Sequence, residues 1–529
     1  MRISYKKLNN SNVSDNASPM LKHFLVGSRL QTRIQQMTGD ESGRYKHRDF
    51  VEPLIDFCLS KNYNGKIGIV YGLRSTGKTV GMLQAAETMN KNGYKPAYAR
   101  FNYDEAAMGD ANIEISALAK QGYTHFFIDE ATYLEGFLNG AADWSDEYVP
   151  DHKIKIIIAG TDSFLLNIAK LTSLFHRYEQ FSTNWCSFAE FSRIQGSDYE
   201  QYRACGGIFT PEPMPDFIQS AIVENLVHSL RHCVYDANRS NAYSDSLAGI
   251  NAGIIYTAIV SILKCTVEDS IKDHFIEYAN EKNTLEFGSA VSKWTKAAKW
   301  DIRRRVAEAM SIYSDFQGID YPESVIETLI NVLVQIGCLL EASGSTSGLG
   351  EYHAALYYFS HPALMSYAVE ETVNAALRLD AIDHAEFESG IRQAAEGFIN
   401  ESIVFSHILH AAGSKDRVFR YRDADFREVD IVVKNFEKRK IQLIEVKSKS
   451  KIDEHSVFVN EAKHLYDDVV LANLGINNEY EVTRVIVYGG ESKVIEHQKG
   501  SLIAANIKSF IGRQYDRDVF LSEVLLRFS

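Results

Sequence analysis

The chain has 529 residues, of which 45% are hydrophobic and 24% charged, the composition of an ordinary globular protein. At roughly 150 residues per domain, this length predicts about three domains. The net charge of −13 argues against a protein that coats nucleic acid with its whole surface. Any contact with nucleic acid would need a local basic patch.

Cysteine usage and the apolar runs indicate the compartment. The six cysteines are scattered and form no C-x-x-C pair, which favours a reduced cytoplasm over a disulfide framework or a zinc site. The N-terminus, MRISYKKLNNSNVSDNASPM, has no apolar core and does not resemble a signal peptide. The longest uncharged run, residues 246–263, contains Gly, Asn, Ser and Thr, and predicts a buried helix rather than a membrane span.

In chain order, residues 1–65 are polar and then weakly helical. Residues 66–190 alternate apolar strands with helices, which is typical of a parallel sheet covered on both faces. The predicted strands are KIGIVYG, KPAYARFNY, THFFIDE, KIKIIIAGTDS and YEQFSTN. The predicted helices are TVGMLQAAETMNKNG, NIEISALAKQG and FLLNIAKLTSLFHR.

Beyond this region the chain changes character twice. Residues 191–310 are mostly helical and predict a lid or insertion. Within residues 311–380, SVIETLINVLVQIGCLLEAS followed by EYHAALYYFSHPAL predicts a helix and a β-wing, as in a winged helix. Residues 385–529 alternate again. Their predicted elements are the helix GFINESIVFSHILHAAG, the paired strands REVDIVVKN and KIQLIEVKS, the helix FVNEAKHLYDDVVLANLG and the strand EVTRVIVYGG. The predicted fold class is therefore multidomain α/β.

The stretch YGLRSTGKTVGM contains the spacing G-x-x-x-x-G-K-T between an apolar strand and a helix. In such a loop the backbone N–H groups and the helix N-terminus face the phosphates of a nucleotide. We expect Lys78 to place its charge on the β- and γ-phosphates and the Thr79 hydroxyl to bind Mg²⁺. The predicted ATP-binding residues are Gly72, Leu73, Arg74, Ser75, Thr76, Gly77, Lys78, Thr79 and Val80.

Two acids end the predicted strand HFFIDE. We expect Asp129 to hold Mg²⁺ through water and Glu130 to polarise the water that attacks the γ-phosphate. The alternative is a pair of solvated acids that close a strand. The acid pair suits an ATPase better than a GTPase, and no N-K-x-D stretch follows at a suitable place to read guanine.

Two further candidates follow the acid pair. At the end of IIIAGTDS, Thr161, with Asp162 as second choice, can contact the γ-phosphate or the attacking water, although an ordinary turn is the alternative. Arg177 lies between a predicted helix and the next strand. An arginine there can stabilise the transferring phosphoryl group in the pocket of a second copy, which would make the protein a homo-oligomer. It can equally be a charge partner of its own helix end.

In their order, GLRSTGKT, FFIDE, IAGTDSFLL, Arg177 and CSFAEF resemble the prokaryotic AAA+ ATPases of the archaeal-ATPase type. Many of these carry a C-terminal domain of unknown function with a PD-(D/E)xK nuclease-like core, and YYFSHPAL, GFINESIVFSHIL, REVDIVV and QLIEVKS resemble that group. The resemblance covers most of residues 66–190 and 320–510. It implies an AAA+ core, a winged-helix segment and the nuclease-like fold. Leu73 and Ala131 replace the usual Pro and Ile, which affects no catalytic role.

A second candidate site lies in REVDIVVKNFEKRKIQLIEVKS. Glu445 and Lys447 follow Asp430 by fifteen and seventeen residues, and strand periodicity puts the two on one face. Asp430 and Glu445 can bind Mg²⁺, and Lys447 can orient or deprotonate a water for phosphodiester hydrolysis. Glu401, on the preceding predicted helix, is a candidate fourth member. The alternative is a solvated strand rim in a fold that has lost activity.

Two basic stretches bear on the partner. KDRVFRYRDADFREVDIVVKNFEKRK, with its interleaved aromatic residues, could hold a DNA or RNA backbone, but a solvated hairpin is equally plausible. KWTKAAKWDIRRR, residues 293–305, spreads its charges over more than one helix face and favours a solvated helix.

Two functions remain open on the sequence. The first is an ATP-driven enzyme whose C-terminal domain cuts or grips nucleic acid. The second is an ATP-dependent switch that resets a protein assembly and uses this domain only for binding. The set Asp430, Glu445 and Lys447 favours the first, and the negative net charge favours the second.

Overall fold

The structure is a computed structural model. It describes residues 21–39, 45–102, 106–160, 166, 169–209, 223–224, 252–281, 306–307, 323–342, 357–377, 384–423, 427–454, 456–496 and 501–512. The predictions for Thr161, Asp162 and the basic stretch at residues 293–305 lie outside the described residues.

The N-terminal half is built around a parallel sheet with helices on both faces, as predicted. The strands are β1 (Ile67–Tyr71), β2 (Pro96–Arg100), β3 (His125–Asp129), β4 (Lys155–Gly160) and β5 (Tyr178–Ser182). The helices are α1 (Gly27–Thr38), α2 (Val51–Leu59), α3 (Lys78–Lys91), α4 (Met108–Lys120), α5 (Phe137–Asp143), α6 (Val149–His152), α7 (Phe188–Gln195) and α8 (Tyr199–Cys205). The five strands lie in the order β2-β3-β4-β1-β5.

The apolar runs of the central strands explain why both faces of this sheet are covered. β1, β3 and β4 are buried along their full lengths. Alternate residues such as Val70 and Phe127 pack on α1, α2 and α3, whereas Ile69 and Phe126 face the opposite core. Because parallel strands end at one edge of a sheet, the loop after β1 lies near the acids that end β3.

A helical middle region follows. It contains α9 (Ala252–Glu281), α10 (Glu323–Gln335), β6 (Leu339–Glu341), β7 (Tyr357–Phe359) and α11 (Pro362–Leu377). β6 and β7 pair antiparallel after α10, in the order that the predicted helix and wing require. The C-terminal part of the uncharged run lies in α9, where Ile255, Ile259 and Ile262 are buried. No helix within the described ranges is long and apolar enough to cross a membrane.

The C-terminal region is a mixed α/β unit. Its strands are β8 (Asp416–Arg422), β9 (Glu428–Asn435), β10 (Lys440–Val446), β11 (Glu481–Tyr488), β12 (Lys493–Ile495) and β13 (Leu502–Asn506), and its helices are α12 (His384–Ala411), α13 (Val457–Asn460), α14 (Asp468–Asn473) and α15 (Ile507–Gly512). The six strands lie in the order β12-β13-β11-β10-β9-β8. β8, β9 and β10 form an antiparallel meander, and β11 pairs parallel with β10.

One predicted helix of this region is broken. The stretch FVNEAKHLYDDVVLANLG forms the short helices α13 and α14, with a 3₁₀ turn at Lys463–Tyr466 between them. Asp467 explains the break, because its side chain accepts the N–H of Val469 at 2.8 Å and so starts a new helix. Leu465 and Tyr466, just before it, are buried under the sheet.

Helix α12 joins the two halves of the molecule. Its apolar residues Phe398, Val404 and Ile408 belong to one continuous core cluster that extends from the first sheet, through the middle helices, to one face of the second sheet. A separate cluster covers the other face of the second sheet, against α13 and α14. The two sheets therefore share buried apolar surface.

Candidate functional site

The P-loop, residues 72–79, makes a tight turn between β1 and α3. Gly72 has a φ of 154° and Gly77 a φ of 87°, in the region that favours glycine. A side chain at Gly72 would collide with the hydroxyl of Thr183. The turn leads directly into the first residue of α3, so the free N–H groups of this helix start can face an anion.

Lys78 and Thr79 begin α3. The Lys78 ammonium is buried and donates to the carbonyl oxygens of Gly72 at 2.8 Å and Leu73 at 2.6 Å. Burial lowers the pKa of Lys78 to about 8, although Glu130 and Asp129 act in the opposite direction. A buried ammonium interacts more strongly with a phosphate than one in water, because the local dielectric constant is lower.

Asp129 lies directly against the start of α3. The Thr79 hydroxyl donates to its Oδ2 at 2.7 Å, and the Tyr98 hydroxyl donates to the same oxygen at 3.0 Å. Burial, and then the adjacent Glu130, raise the pKa of Asp129 above its ordinary value. The structure thus brings together the two side chains that the sequence predicts to share Mg²⁺.

Glu130 is buried and has a strained backbone. Its φ of 54° lies in the left-handed region, which residues other than glycine rarely adopt. Its N–H donates to Asp129 Oδ1 at 3.1 Å. Strained residues of this kind persist where the surrounding structure holds them, and they cluster at functional sites.

Thr183 and Asn184, which follow β5, hold the P-loop from the side. The Asn184 side-chain oxygen accepts the N–H of Leu73 at 2.7 Å, and the hydroxyls of Thr183 and Thr76 are hydrogen-bonded at 2.6 Å. The Asn184 amide also donates to the carbonyl of Ile336, just after α10. One side chain therefore connects the P-loop to the predicted winged-helix segment.

Arg48 is a residue of this site that the sequence analysis missed. Its buried guanidinium binds both carboxylate oxygens of Glu190, at 2.7 and 3.1 Å. It also donates to the carbonyl oxygens of Thr76 at 2.7 Å and Trp185 at 2.8 Å. Burial by itself would raise the pKa of Glu190, but Arg48 holds it below its ordinary value. Arg48 thus ties the back of the P-loop to the segment after β5.

Arg177 lies in the turn before β5, where the sequence places it. Its Nε donates to Asp146 of the same chain at 2.6 Å, and its Nη1 lies 3.4 Å from the Ser173 carbonyl oxygen. The Arg177 side chain is 39% exposed and that of Asp146 is 49% exposed. This geometry provides Arg177 with a partner in its own chain and leaves it at the surface, where a second copy could reach it.

The C-terminal site begins with the β9–β10 pair. Their register matches Ile444 with Ile431, so its continuation sets Asp430 beside Glu445. Asp430 Oδ2 accepts the N–H of Val446 at 2.7 Å, and Lys447 Nζ lies 2.7 Å from Glu445 Oε2. The predicted hairpin and the common face of Glu445 and Lys447 are therefore present.

The charges in this site perturb one another strongly. Burial, and then Asp430, raise the pKa of Glu445 well above its ordinary value. Burial alone would lower the pKa of Lys447, but Glu445 and Asp430 raise it. The other carboxylate oxygen of Glu445, Oε1, is buried and has no hydrogen-bond partner among the described residues. A buried acceptor without a donor needs a partner from outside the protein, such as a water or an ion.

Glu401 lies on α12 but is bound differently from the expected fourth member. The Tyr358 hydroxyl donates to its carboxylate, and Arg420 Nη1 lies 3.7 Å from it. Burial raises the pKa of Glu401 to about 8, against the attraction of Arg420. Across the described residues, no group of three or more His, Cys, Asp or Glu side chains could hold a metal ion. At most two carboxylates are thus available to one ion here.

The basic hairpin is more balanced in charge than its sequence suggests. Most of its basic side chains lie within 4 Å of a carboxylate, as in the pairs Lys415–Glu437, Arg420–Glu428, Arg427–Asp423, Arg439–Glu479 and Lys440–Glu481. A surface of such pairs attracts a phosphate backbone less than the same cations would alone.

The segment after β5 also contacts α12. Trp185 stacks on His410, with ring centroids 4.4 Å apart, and the Phe188 N–H donates to His407 Nε2 at 3.1 Å. The Tyr199 hydroxyl donates to Asn400 at 3.0 Å. The residues that hold the P-loop are therefore continuous with those that hold the helix of Glu401.

The parallel sheet, the P-loop and the Thr79–Asp129 contact are the features of a P-loop nucleotide-binding fold. Residues 64–192 match a family model described as an AAA domain, and residues 396–505 match one described as a domain of unknown function (DUF4143).

The wider comparisons add little. No curated protein matches the chain. Among solved structures, the chain is similar to the Orc1 protein of Aeropyrum pernix in complex with DNA, at 13% identity and a TM-score of 0.25, over 65% of this chain and 98% of that one. A likeness of this degree carries no inference about the function of this chain.

Proposed function

We propose that this chain hydrolyses ATP at its P-loop and acts on nucleic acid through a metal-dependent phosphodiesterase site in its C-terminal domain. The contact of Thr79 with Asp129 at 2.7 Å, beside the strained Glu130, is the observation that carries the first part. The adjacent Asp430 and Glu445, with Lys447 beside them, support the second.

At the P-loop, the roles of the side chains follow from their positions. Lys78, at the start of α3, binds the phosphate oxygens and neutralises part of their charge. Thr79 and Asp129 are the residues that would hold Mg²⁺, which when bound neutralises charge on the β- and γ-phosphates. Glu130 accepts the proton of the attacking water. In this proposal Arg177 of a second copy contacts the transferring phosphoryl group.

The C-terminal residues fit a divalent ion, since in the described part of the chain Glu445 Oε1 is a buried acceptor without a donor. Asp430 and Glu445 would hold the ion, which when bound makes a water more acidic and stabilises charge on a phosphate. Mg²⁺ needs only one or two carboxylates, because it keeps several waters. Lys447, paired with Glu445, orients the water beside the phosphodiester.

A cleavage assay with the full chain tests this function. Plasmid, single-stranded DNA and RNA are incubated with Mg²⁺ or Mn²⁺, with and without ATP. We expect metal-dependent cleavage that is lost in Asp430→Asn and in Lys447→Ala. Glu437→Gln is the matched control, because Glu437 is an exposed acid in the turn of the same hairpin. Absence of cleavage by the unmodified chain with every substrate would refute the phosphodiesterase proposal.

The second candidate function is an ATP-dependent switch whose C-terminal domain only binds a partner. The pairing of most basic side chains of the hairpin with carboxylates favours it, because such a surface offers few cations to a nucleic acid. ATP hydrolysis without cleavage or nucleic-acid binding, at low as well as physiological salt, would support this function over the first.

A further inference from the structure

The C-terminal site holds more carboxylates than one ion needs. Glu428 and Asp430 share one face of β9, and the β9–β10 register sets Glu445 beside Asp430. Glu401 and Glu428 both lie within 4 Å of Arg420. A cluster of this kind must be neutralised, because like charges at short distance repel strongly when they are buried. The way in which the structure neutralises it decides what the site can bind.

Arg420 contacts two of the four acidic side chains. It lies on β8 with its side chain only 13% exposed, and its Nη2 is 3.0 Å from Glu428 Oε1. Its Nη1 is 3.7 Å from Glu401 Oε1, where the Tyr358 hydroxyl also donates. An arginine keeps its charge at every accessible pH, so this position is permanently occupied by a cation.

The other two carboxylates are not neutralised in this way. Asp430 is bound through one oxygen to the N–H of Val446. Glu445 is paired with Lys447 through Oε2, and its side chain is only 6% exposed. No residue that the structure describes donates to its Oε1. Asp430 and Glu445 are therefore the pair that a further cation would meet.

We infer that Arg420 takes the place of a second divalent cation, so that the C-terminal site binds a single metal ion, on Asp430 and Glu445. This inference rests on the proposed metal site. In sites with two ions, these lie about 3.5–4 Å apart and stabilise the attacking and the leaving oxygen separately. Here Glu401 and Glu428, the other two carboxylates of the cluster, are paired with the guanidinium.

In a site with one ion, protein side chains must provide the positive charge that a second ion would otherwise provide. An ion held by Asp430 and Glu445 would stabilise charge on the phosphodiester, and Lys447 provides the second positive charge at the water. Arg420 acts through Glu401 and Glu428 and is a positioning residue. The substrate class stays that of the proposed function, a phosphodiester of DNA or RNA.

The number of bound ions tests the inference. Mn²⁺ is titrated into the full chain without nucleotide and followed by calorimetry and by electron paramagnetic resonance. Ions that remain in the double variant Asp430→Asn, Glu445→Gln are subtracted, since they belong elsewhere. We expect one ion at this site in the unmodified chain and two in Arg420→Gln, whose freed carboxylates can hold another. Arg439→Gln is the matched control, because Arg439 is 57% exposed and pairs with Glu479, outside the four carboxylates, so this variant should still bind one ion.

Each result separates the two proposals. One ion in both the unmodified chain and Arg420→Gln overturns the role of Arg420 and leaves the metal site standing. No ion in either protein overturns the metal site itself. If Arg420→Gln does not fold, the unmodified chain still decides, because two spin-coupled ions at this site would overturn the inference.

Discussion

Arg48 and Glu190 form a buried two-pronged ion pair, with Nε–Oε1 at 2.7 Å and Nη2–Oε2 at 3.1 Å. The same guanidinium donates to the Thr76 carbonyl at 2.7 Å, inside the P-loop. The ring of Phe209 covers it at 4.8 Å. The shape of the P-loop thus depends on a residue that precedes it and on an acid that follows the whole sheet.

We expect Arg48→Ala to lower the free energy of unfolding by about 3–5 kcal/mol, because it leaves Glu190 buried without a partner. It should also weaken ATP binding, since the Thr76 carbonyl loses its donor. Chemical denaturation and nucleotide titration measure the two effects. Arg193→Ala is the control. Arg193 pairs with Asp49 close by, but at 42% and 45% exposure, so its loss should cost at most about 1 kcal/mol. An equal decrease in the free energy of unfolding in both variants would show that burial does not make the Arg48–Glu190 pair more important than an exposed pair.

Glu130→Gln should keep ATP binding and stop hydrolysis, because an amide cannot accept the proton of the attacking water. Lys78→Ala should instead abolish tight binding, because the phosphate charge loses its buried partner. Binding of a fluorescent ATP analogue and release of phosphate distinguish the two variants. Hydrolysis by Glu130→Gln at the rate of the unmodified chain would show that another group is the base.

ATP affinity should decrease at alkaline pH. The pKa of Lys78 is about 8 in the free protein, so above that pH the lysine must take up a proton before it can bind phosphate as a cation. The dissociation constant should then rise about tenfold per pH unit until the pKa of the bound state is reached. Titration of a non-hydrolysable analogue between about pH 7 and 10 tests this. In Lys78→Met the weak residual affinity should not show this rise.

Arg177 can be tested against its own ion-pair partner. If Arg177 acts on the nucleotide of a second copy, Arg177→Ala should reduce hydrolysis by about 10³, the effect of a well-placed arginine finger. Asp146→Asn, which only releases Arg177 from its pair, should not reduce it. Mixing Arg177→Ala with Lys78→Ala protein should restore part of the activity. If both single substitutions change the rate of hydrolysis by the same small amount, Arg177 acts only as the ion-pair partner of Asp146 in its own chain.

The sequence predicts those parts of the fold and site in which the spacing of residues within a short stretch determines the structure. β1, the P-loop and α3 follow one another within a short stretch, and strand periodicity places Glu445 and Lys447 together. Asp129 and Glu130 end a buried strand, as expected from the apolar run before them. In each case the interacting groups are close in sequence or at the same edge of a sheet.

The parts that were missed depend on pairing across the chain. Arg48 and Glu190 are 142 residues apart, and no local pattern identifies an arginine in a polar stretch as buried. In the sequence Arg420 belongs to the basic stretch at residues 415–440, whereas the structure pairs it with Glu401 and Glu428. Glu190 stands in CSFAEF, the stretch that resembles a known family, but nothing in that resemblance indicates its partner.

The stacking of Trp185 on His410 connects the segment after β5 to helix α12. Helix α12 belongs to the one core cluster that reaches both sheets, so we expect the two sheets to lose their packing together. A calorimetric scan should therefore show one endotherm in which both sheets unfold, rather than a separate endotherm for each sheet. Trp185→Ala should split or broaden this endotherm. A protease that cuts before α12 should release two aggregation-prone pieces rather than two stable domains.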